Sequence, residues 1–293
     1  MNYQELWQSL EPHYGTSEAK AITRTVLEVK FGLTLTDIVC GKVNELSANN
    51  SETLRKIFSR LLQGEPVQYV LGEADFDGHI FQVAPGILIP RPETEDLVEA
   101  VSRWWDERAK QLAGEADTGN PRLLDIGTGS GCIAVSLSLR HPQAKVTAWD
   151  ISDSALAMAR KNAEKLSANV TVERQDALRP PADQGKWDAI VSNPPYITYQ
   201  EQAEMEANVL EHEPHLALFV PDEDPLKFYL AIARYALSAL REEGLLAFEI
   251  NPLFAERLTE TLRQMGFPQV TILPDRYGKQ RIALALAPKR LFA

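Results

Sequence analysis

Leu123-Leu124-Asp125-Ile126-Gly127-Thr128-Gly129-Ser130-Gly131 decides the fold. Arg122–Ile126 reads as a strand that runs into three alternating glycines and then into a helix over Gly131–Arg140. Such a turn lets a ligand come close to the backbone, and it stands where a helix begins. The spacing is Gly-x-Gly-x-Gly, unlike the Gly-x-Gly-x-x-Gly of dinucleotide binders. Asp125, directly before the turn, favours a cationic ligand and would repel a pyrophosphate.

Outward from this turn the pattern alternates strand and helix. Strands are predicted at Arg122–Ile126, Lys145–Trp149, Val170–Arg174, Trp187–Val191, Gly244–Ile250, Val270–Leu273 and Arg281–Ala287. Helices are predicted at Gly131–Arg140, Ser154–Leu166 and Leu226–Glu242. This order implies an α/β fold with an open, mostly parallel sheet covered on both faces. Only Pro274–Gln280 separates the last two strands, too short for a parallel crossover, so the final strand is expected to be antiparallel.

The second predicted strand leads into Asp150, which is placed to accept hydrogen bonds from ribose hydroxyls. Asp176, after the third, is placed to receive an adenine amino group, with Ala177 lining the pocket. Singly, each acid reads as well as a helix cap. In series at the carboxyl ends of successive strands, they fall where open α/β sheets bind ligands, and they predict a nucleoside cofactor.

Behind the fourth strand comes Ser192-Asn193-Pro194-Pro195-Tyr196-Ile197. Neither proline has a backbone N–H, and Pro195 pushes Pro194 into an extended conformation. The turn should present the Pro194 carbonyl beside the Asn193 side-chain oxygen, with the Tyr196 ring near. Two acceptors and an aromatic face suit a planar group bearing an NH2, either an amide or the exocyclic amine of a base. As a bare turn, Asn and Pro are also locally favoured.

The first 65 or so residues read as helical, with Ser17 and Ser51 as N-caps and Ser47–Asn50 as a loop. No chemistry is visible there beyond a small module that packs or recognises something. In residues 66–92, Asp77-Gly78 between β-prone runs predicts a hairpin, and Pro85-Gly86 and Pro90-Arg-Pro92 punctuate the approach to a new helix. The expected organisation is a helical domain over 1–72, a β-hairpin linker over 73–92 and a larger domain over 93–293.

The 293 residues are 44% hydrophobic and 24% charged, with a net charge of −11. That charge argues against broad nucleic-acid binding through phosphates. Cys40 and Cys132 have no metal-ligand spacing. His212-Glu-Pro-His215 is interrupted by Pro214, so no metal site is expected and the stretch is predicted to loop over a substrate. Met1 to Glu11 is polar and no long apolar span follows, so a cytoplasmic protein without a membrane anchor is expected.

Asp125–Gly131, Asp150, Asp176 and Asn193–Tyr196 together resemble S-adenosylmethionine-dependent methyltransferases acting on amide or exocyclic amino nitrogen. Pro66-Val-Gln-Tyr-Val-Leu-Gly72, Ile89-Pro-Arg-Pro-Glu-Thr-Glu95, Glu213-Pro-His-Leu-Ala-Leu218 and Asp275-Arg-Tyr-Gly278 are similar to the PrmC/HemK family of peptide chain release factor glutamine methyltransferases. The resemblance implies a class I, Rossmann-like catalytic domain, with a seven-stranded sheet whose last strand is antiparallel. A β-hairpin would join it to a small N-terminal domain that recognises the substrate. It further implies transfer of a methyl group from S-adenosylmethionine, leaving S-adenosylhomocysteine, to the side-chain N5 of a glutamine in a release factor. Asn193, Pro194, Pro195 and Tyr196 would hold the substrate, with Asn193, Pro194 and Tyr196 in catalysis. Asp125, Gly127, Thr128, Gly129, Ser130, Gly131, Asp150, Asp176, Ala177 and Asn193 would hold the cofactor. Arg91, Glu93 and Thr94 read as a helix cap and, by resemblance, lie near the site. Phe219–Pro225 departs from the family in its acidity and lack of glycine, and Ala177 in its small size.

The expected partner is a release factor, with no nucleic acid and no membrane, and the protein is expected to be a monomer. The rival reading is a methyltransferase of adenine N6 or guanine N2, which would need a basic groove or target-reading domain. A binding protein that has kept the fold without the activity is the third.

Overall fold

The computed structural model describes residues 2–111 and 120–289. The chain forms two compact units, one of residues 1–73, 83–85 and 205–213, the other of 74–82, 86–204 and 214–293.

The smaller unit is helical. α1 (Tyr3–Phe31), α2 (Leu35–Val39), α3 (Ala48–Leu61) and α4 (Val67–Leu71) bury Leu10, Val26, Leu27, Leu54 and Leu61 in one cluster. Two caps differ from expectation. α1 starts at a capping box in which Asn2 and Glu5 exchange backbone and side-chain bonds, and its break falls at Gly15, with φ 72° and ψ 164°; Ser17 lies inside the helix. α3 starts at Ser47, whose Oγ accepts the Asn50 N–H at 3.2 Å. Ser51 lies a turn further on and its hydroxyl bonds the Leu46 carbonyl. Ser47 already satisfies one of the free N–H groups of the first turn, so residues 48–50 are helix and not loop.

The larger unit opens with a hairpin of β1 (Glu73–Phe76, of which Ala74–Phe76 belong to this unit) and β2 (His79–Gln82). Its turn holds Asp77 at φ 53° and Gly78 at φ 71°, the double positive φ that a two-residue hairpin needs. Phe76 and Phe81 meet edge to face and join the core beneath α5 (Pro92–Gln111). Asp77 forms an ion pair with Arg140.

Next come β3 (Arg122–Ile126), α6 (Cys132–Arg140), β4 (Lys145–Asp150), α7 (Asp153–Lys165), β5 (Val170–Arg174), β6 (Trp187–Ser192) and β7 (Ile197–Thr198). α8 (Ala207–His212) belongs to the helical unit. The remainder is α9 (His215–Leu218), β8 (Phe219–Val220), α10 (Lys227–Ala239), β9 (Leu240–Glu249), α11 (Ala255–Met265), β10 (Gln269–Pro274) and β11 (Gln280–Leu286).

Seven strands form one sheet in the order β10-β11-β9-β6-β3-β4-β5. β5, β4, β3, β6 and β9 pair parallel, while β11 is antiparallel to both β9 and β10, as the short Pro274–Gln280 connection requires. Alternate side chains feed opposite layers. Leu124, Ile190, Leu246 and Phe248 pack with α10 and α11, and Leu123, Ala189, Val191, Leu245 and Ala247 pack with α5 and α6. Burial on both faces explains the nearly unbroken apolar strands.

The predicted helix Leu226–Glu242 overruns its true end at Ala239. Glu243 takes φ 55°, and Gly244 lies so close to the Arg241 and Asp188 carbonyls that a Cβ there would sit 2.9 and 3.0 Å from them. The result is a bulged strand start, with the β6–β9 register shifting between Trp187 and Ala189. Arg241 pairs with Asp188 at 2.9 Å.

From β3 the chain builds β4 and β5 on one side, then crosses to place β6 on the other. The crevice at the carboxyl ends of β3 and β6 is thus a topological switch point, where open α/β sheets bind ligands.

Candidate active site

Strand register brings the site together. Ile126 pairs with Trp149 and with Ser192, and Ser192 pairs with Phe248. One residue further along each strand stand Gly127, Asp150, Asn193 and Glu249, abreast at one edge of the sheet. The Ser192 hydroxyl ties β6 to β3 by donating to the Ile126 carbonyl at 2.6 Å.

The glycine turn divides into an open face and a buried underside. Gly127 and Gly129 hold φ 75° and 55°, and a Cβ at either would meet nothing within 4 Å, so their backbone faces open space. Gly131 serves packing, because a Cβ there would lie 3.0 Å from Ala159 Cα. Thr128 and Ser130 are buried. Asp125 is also buried, taking the Thr128 hydroxyl at 2.6 Å, and so braces the turn from beneath. Burial pushes its carboxyl up to about 7, against the pull of Thr128 and the Ala134 N–H.

Asp150 reaches the same turn from β4. Its two oxygens accept the N–H groups of Gly129 and Ser152, each at 2.9 Å. A carboxylate oxygen has a second lone pair, so both remain able to accept a hydroxyl. Asp176 caps its own turn through the Leu178 N–H at 2.8 Å, and Ala177 packs against the core beside it. An open glycine cradle, a partly exposed diol acceptor and further acidic oxygens fit a ribose-bearing, positively charged ligand such as S-adenosylmethionine.

Asn193–Tyr196 forms the turn between β6 and β7. Among the described residues, neither Asn193 Oδ1 nor the Pro194 carbonyl receives a hydrogen bond. The Asn193 Nδ2 group donates to Thr94 Oγ1 at 3.3 Å, which joins Thr94, at the start of α5, to this turn. Arg91 and Glu93 lie close enough for their charges to act on Tyr196 and Glu249 respectively. Tyr196 is held by its hydroxyl, which donates to Glu249 Oε1 at 3.0 Å. Burial and the neighbouring Glu249 charge push this phenol well above its usual range, so it stays neutral. β7 continues the turn by pairing with β8, and Asp222, in the acidic Phe219–Pro225 stretch, accepts the Gln200 N–H at 2.9 Å. The stretch around Pro214 forms the ends of two short helices instead of the expected loop.

Sequence reasoning missed what holds this turn. Glu249 is 1% exposed and accepts both the Tyr196 hydroxyl and, at 2.5 Å, that of Thr94. Arg281 reaches Tyr196 at 3.4 Å and is itself paired with buried Asp275. Asn251 ties the Tyr196 carbonyl to Glu201. The available signal was a single carboxylate closing the apolar run Leu245-Leu-Ala-Phe-Glu249 at the end of a parallel strand, as Asp150 does in its own.

The sheet order, the antiparallel β11 and the acid-flanked glycine turn at the switch point define a class I S-adenosylmethionine-dependent methyltransferase. Residues 4–72 match the family pattern of the PrmC N-terminal domain, and residues 106–216 that of the methyltransferase small domain. The chain is 47% identical to the release factor glutamine methyltransferase of Bacteroides thetaiotaomicron over 95% of its own length and 96% of that protein's. It is 39% identical to the enzyme of that name from Flavobacterium psychrophilum, with 94% of each chain covered. For the Streptococcus pneumoniae relative of the same name, identity is 36% over 91% of each chain. The chain belongs to the release factor glutamine methyltransferase family.

Proposed function

We propose that this protein methylates the side-chain amide nitrogen of a glutamine in peptide chain release factors, using S-adenosylmethionine. The single observation that carries this reading is the pair of unpartnered acceptors, Asn193 Oδ1 and the Pro194 carbonyl, beside an open glycine cradle. The relatives' shared name supplies the substrate protein.

A carboxamide nitrogen is a poor nucleophile because its lone pair is delocalised into the carbonyl. Two acceptors that take both of its N–H bonds fix the NH2 and favour a geometry in which lone-pair density faces the methyl donor. S-adenosylmethionine, when bound, supplies an electrophilic methyl on a sulfonium. Fixed alignment of this kind is worth about 7–11 kcal/mol at best. The same acceptors stabilise positive charge growing on the nitrogen. Tyr196 stays a neutral phenol and Glu249 is buried behind the Thr94 and Tyr196 hydroxyls, so neither serves as a base. The proton leaves to water after the transfer. Asp150 would receive the ribose hydroxyls, Asp176 and Ala177 would border the adenine, and the helical unit would recognise the release factor.

Incubation with labelled S-adenosylmethionine and either a release factor or a mixture of tRNA and DNA tests the reading. Label on a glutamine of the release factor is the expected result. Label confined to nucleic acid, or none on any substrate, refutes it.

A further inference from the structure

Asn193 can serve the reaction only one way round. Its side-chain oxygen and nitrogen have the same shape, so neighbours must decide which of them faces the substrate. Thr94 carries a single hydroxyl proton and gives it to Glu249 Oε2 at 2.5 Å. The Thr94 oxygen can then only accept, and it accepts from Asn193 Nδ2 at 3.3 Å. On the other side, Tyr196 gives its proton to Glu249 Oε1 at 3.0 Å and accepts from Arg281 Nη1 at 3.4 Å. In both arms every donor points towards Glu249.

We propose that Glu249 is a positioning residue for methyl transfer, which orients two chains of hydrogen bonds and so turns the Asn193 oxygen to the substrate while holding the Tyr196 ring. This rests on the function proposed above. Glu249 touches no reacting atom. It acts through Thr94 on one side and Tyr196 on the other. A core role alone would not call for an acid here, because burying a carboxylate is costly and a packed apolar side chain is often as stabilising. Two hydroxyl donors and the guanidinium of Arg281 are the compensation this site supplies.

The polarity can be broken without removing bulk. In Glu249→Gln one of the two hydroxyls has to face an NH2; Arg281 already donates to Tyr196, so the side-chain oxygen stays with Tyr196 and the NH2 donates to Thr94. Thr94 then donates to Asn193, and the carboxamide flips with its nitrogen towards the substrate. Thr94→Val keeps the shape and removes the hydroxyl. Thr94→Ser keeps the hydroxyl.

With the intact protein and a release factor substrate, kcat should fall about 100-fold in Glu249→Gln and at least tenfold in Thr94→Val, the scale of loss that small misplacement brings. The Kd for S-adenosylmethionine should stay within about twofold of wild type in both, and Thr94→Ser should recover most of the rate. The NMR signals of the Asn193 side-chain NH2 should shift in Glu249→Gln and Thr94→Val but not in Thr94→Ser. Folded variants with near-normal kcat overturn the proposal, as do unshifted Asn193 signals or a loss of cofactor affinity matching the loss of rate. Should wild type fail to methylate the release factor, the functional reading falls, and the Asn193 signals alone still decide the role of Glu249.

Discussion

The turn after β3 keeps its shape through backbone conformation, with Gly127 and Gly129 at φ 75° and 55° and its N–H groups tied to Trp149 and Asp150. The turn after β6 has no residue at positive φ and draws its shape from the side chains of Thr94, Glu249, Arg281 and Asn251, all far away in sequence. Under the proposed function, the difference follows from what each must present. A cofactor cradle needs backbone close to the ligand, which glycine permits. A grip on an NH2 needs acceptors aimed correctly, and prolines remove competing donors without fixing the aim of Asn193.

This contrast predicts that changes at the two turns separate rate from cofactor affinity. Asn193→Ala should lower kcat by roughly 100- to 1,000-fold, the scale seen when a group aimed at developing charge is removed. Its Kd for S-adenosylmethionine, read by calorimetry, should barely move. A near-normal rate would end the assignment of the acceptor turn.

At the other turn the pattern should invert. Asp150→Ala removes a charged acceptor and leaves the Gly129 N–H without its partner, so cofactor binding should weaken by about 1.5–3 kcal/mol. Turnover at saturating cofactor should fall far less. An unchanged Kd would refute the ribose role.

Asp125 offers a test through pH. Its carboxyl is raised from 3.8 to about 7 in the folded protein. A group raised on folding supports the fold fully below the unfolded value, and that support is lost as pH rises through the folded value. Denaturant unfolding should therefore show stability from this group declining between about pH 4 and pH 7 by an amount on the order of a few kcal/mol. Asp125→Asn should flatten that slope. A wild-type slope in the variant would place the titration elsewhere.

Gly129→Ala should have the smallest effect. An L-residue at φ 55° costs about 1–2 kcal/mol, and its methyl would project into the open face, so stability should drop modestly and cofactor Kd rise about tenfold. If Kd holds steady, the cradle does not approach the ligand there.

The contrast also explains what could be read from the chain. The glycine turn, Asp150 and the strand order were legible because they depend on neighbours in sequence and on apolar patterning. The Asn193-Pro194-Pro195-Tyr196 acceptors were legible for the same local reason. Glu249 and Arg281 were not, since each gains meaning only when β9 and β11 are laid beside β6. The overrun of α10 has a similar origin. Arg241-Glu242-Glu243 suits a helix locally, and the bulge at Gly244 against Asp188 overrides it.

The most direct measurement is a crystal structure with S-adenosylhomocysteine and a glutamine peptide from a release factor. The glutamine side-chain nitrogen should lie within about 3.2 Å of both Asn193 Oδ1 and the Pro194 carbonyl. A glutamine bound with its amide oxygen towards Asn193, or seated away from this turn, would contradict the account.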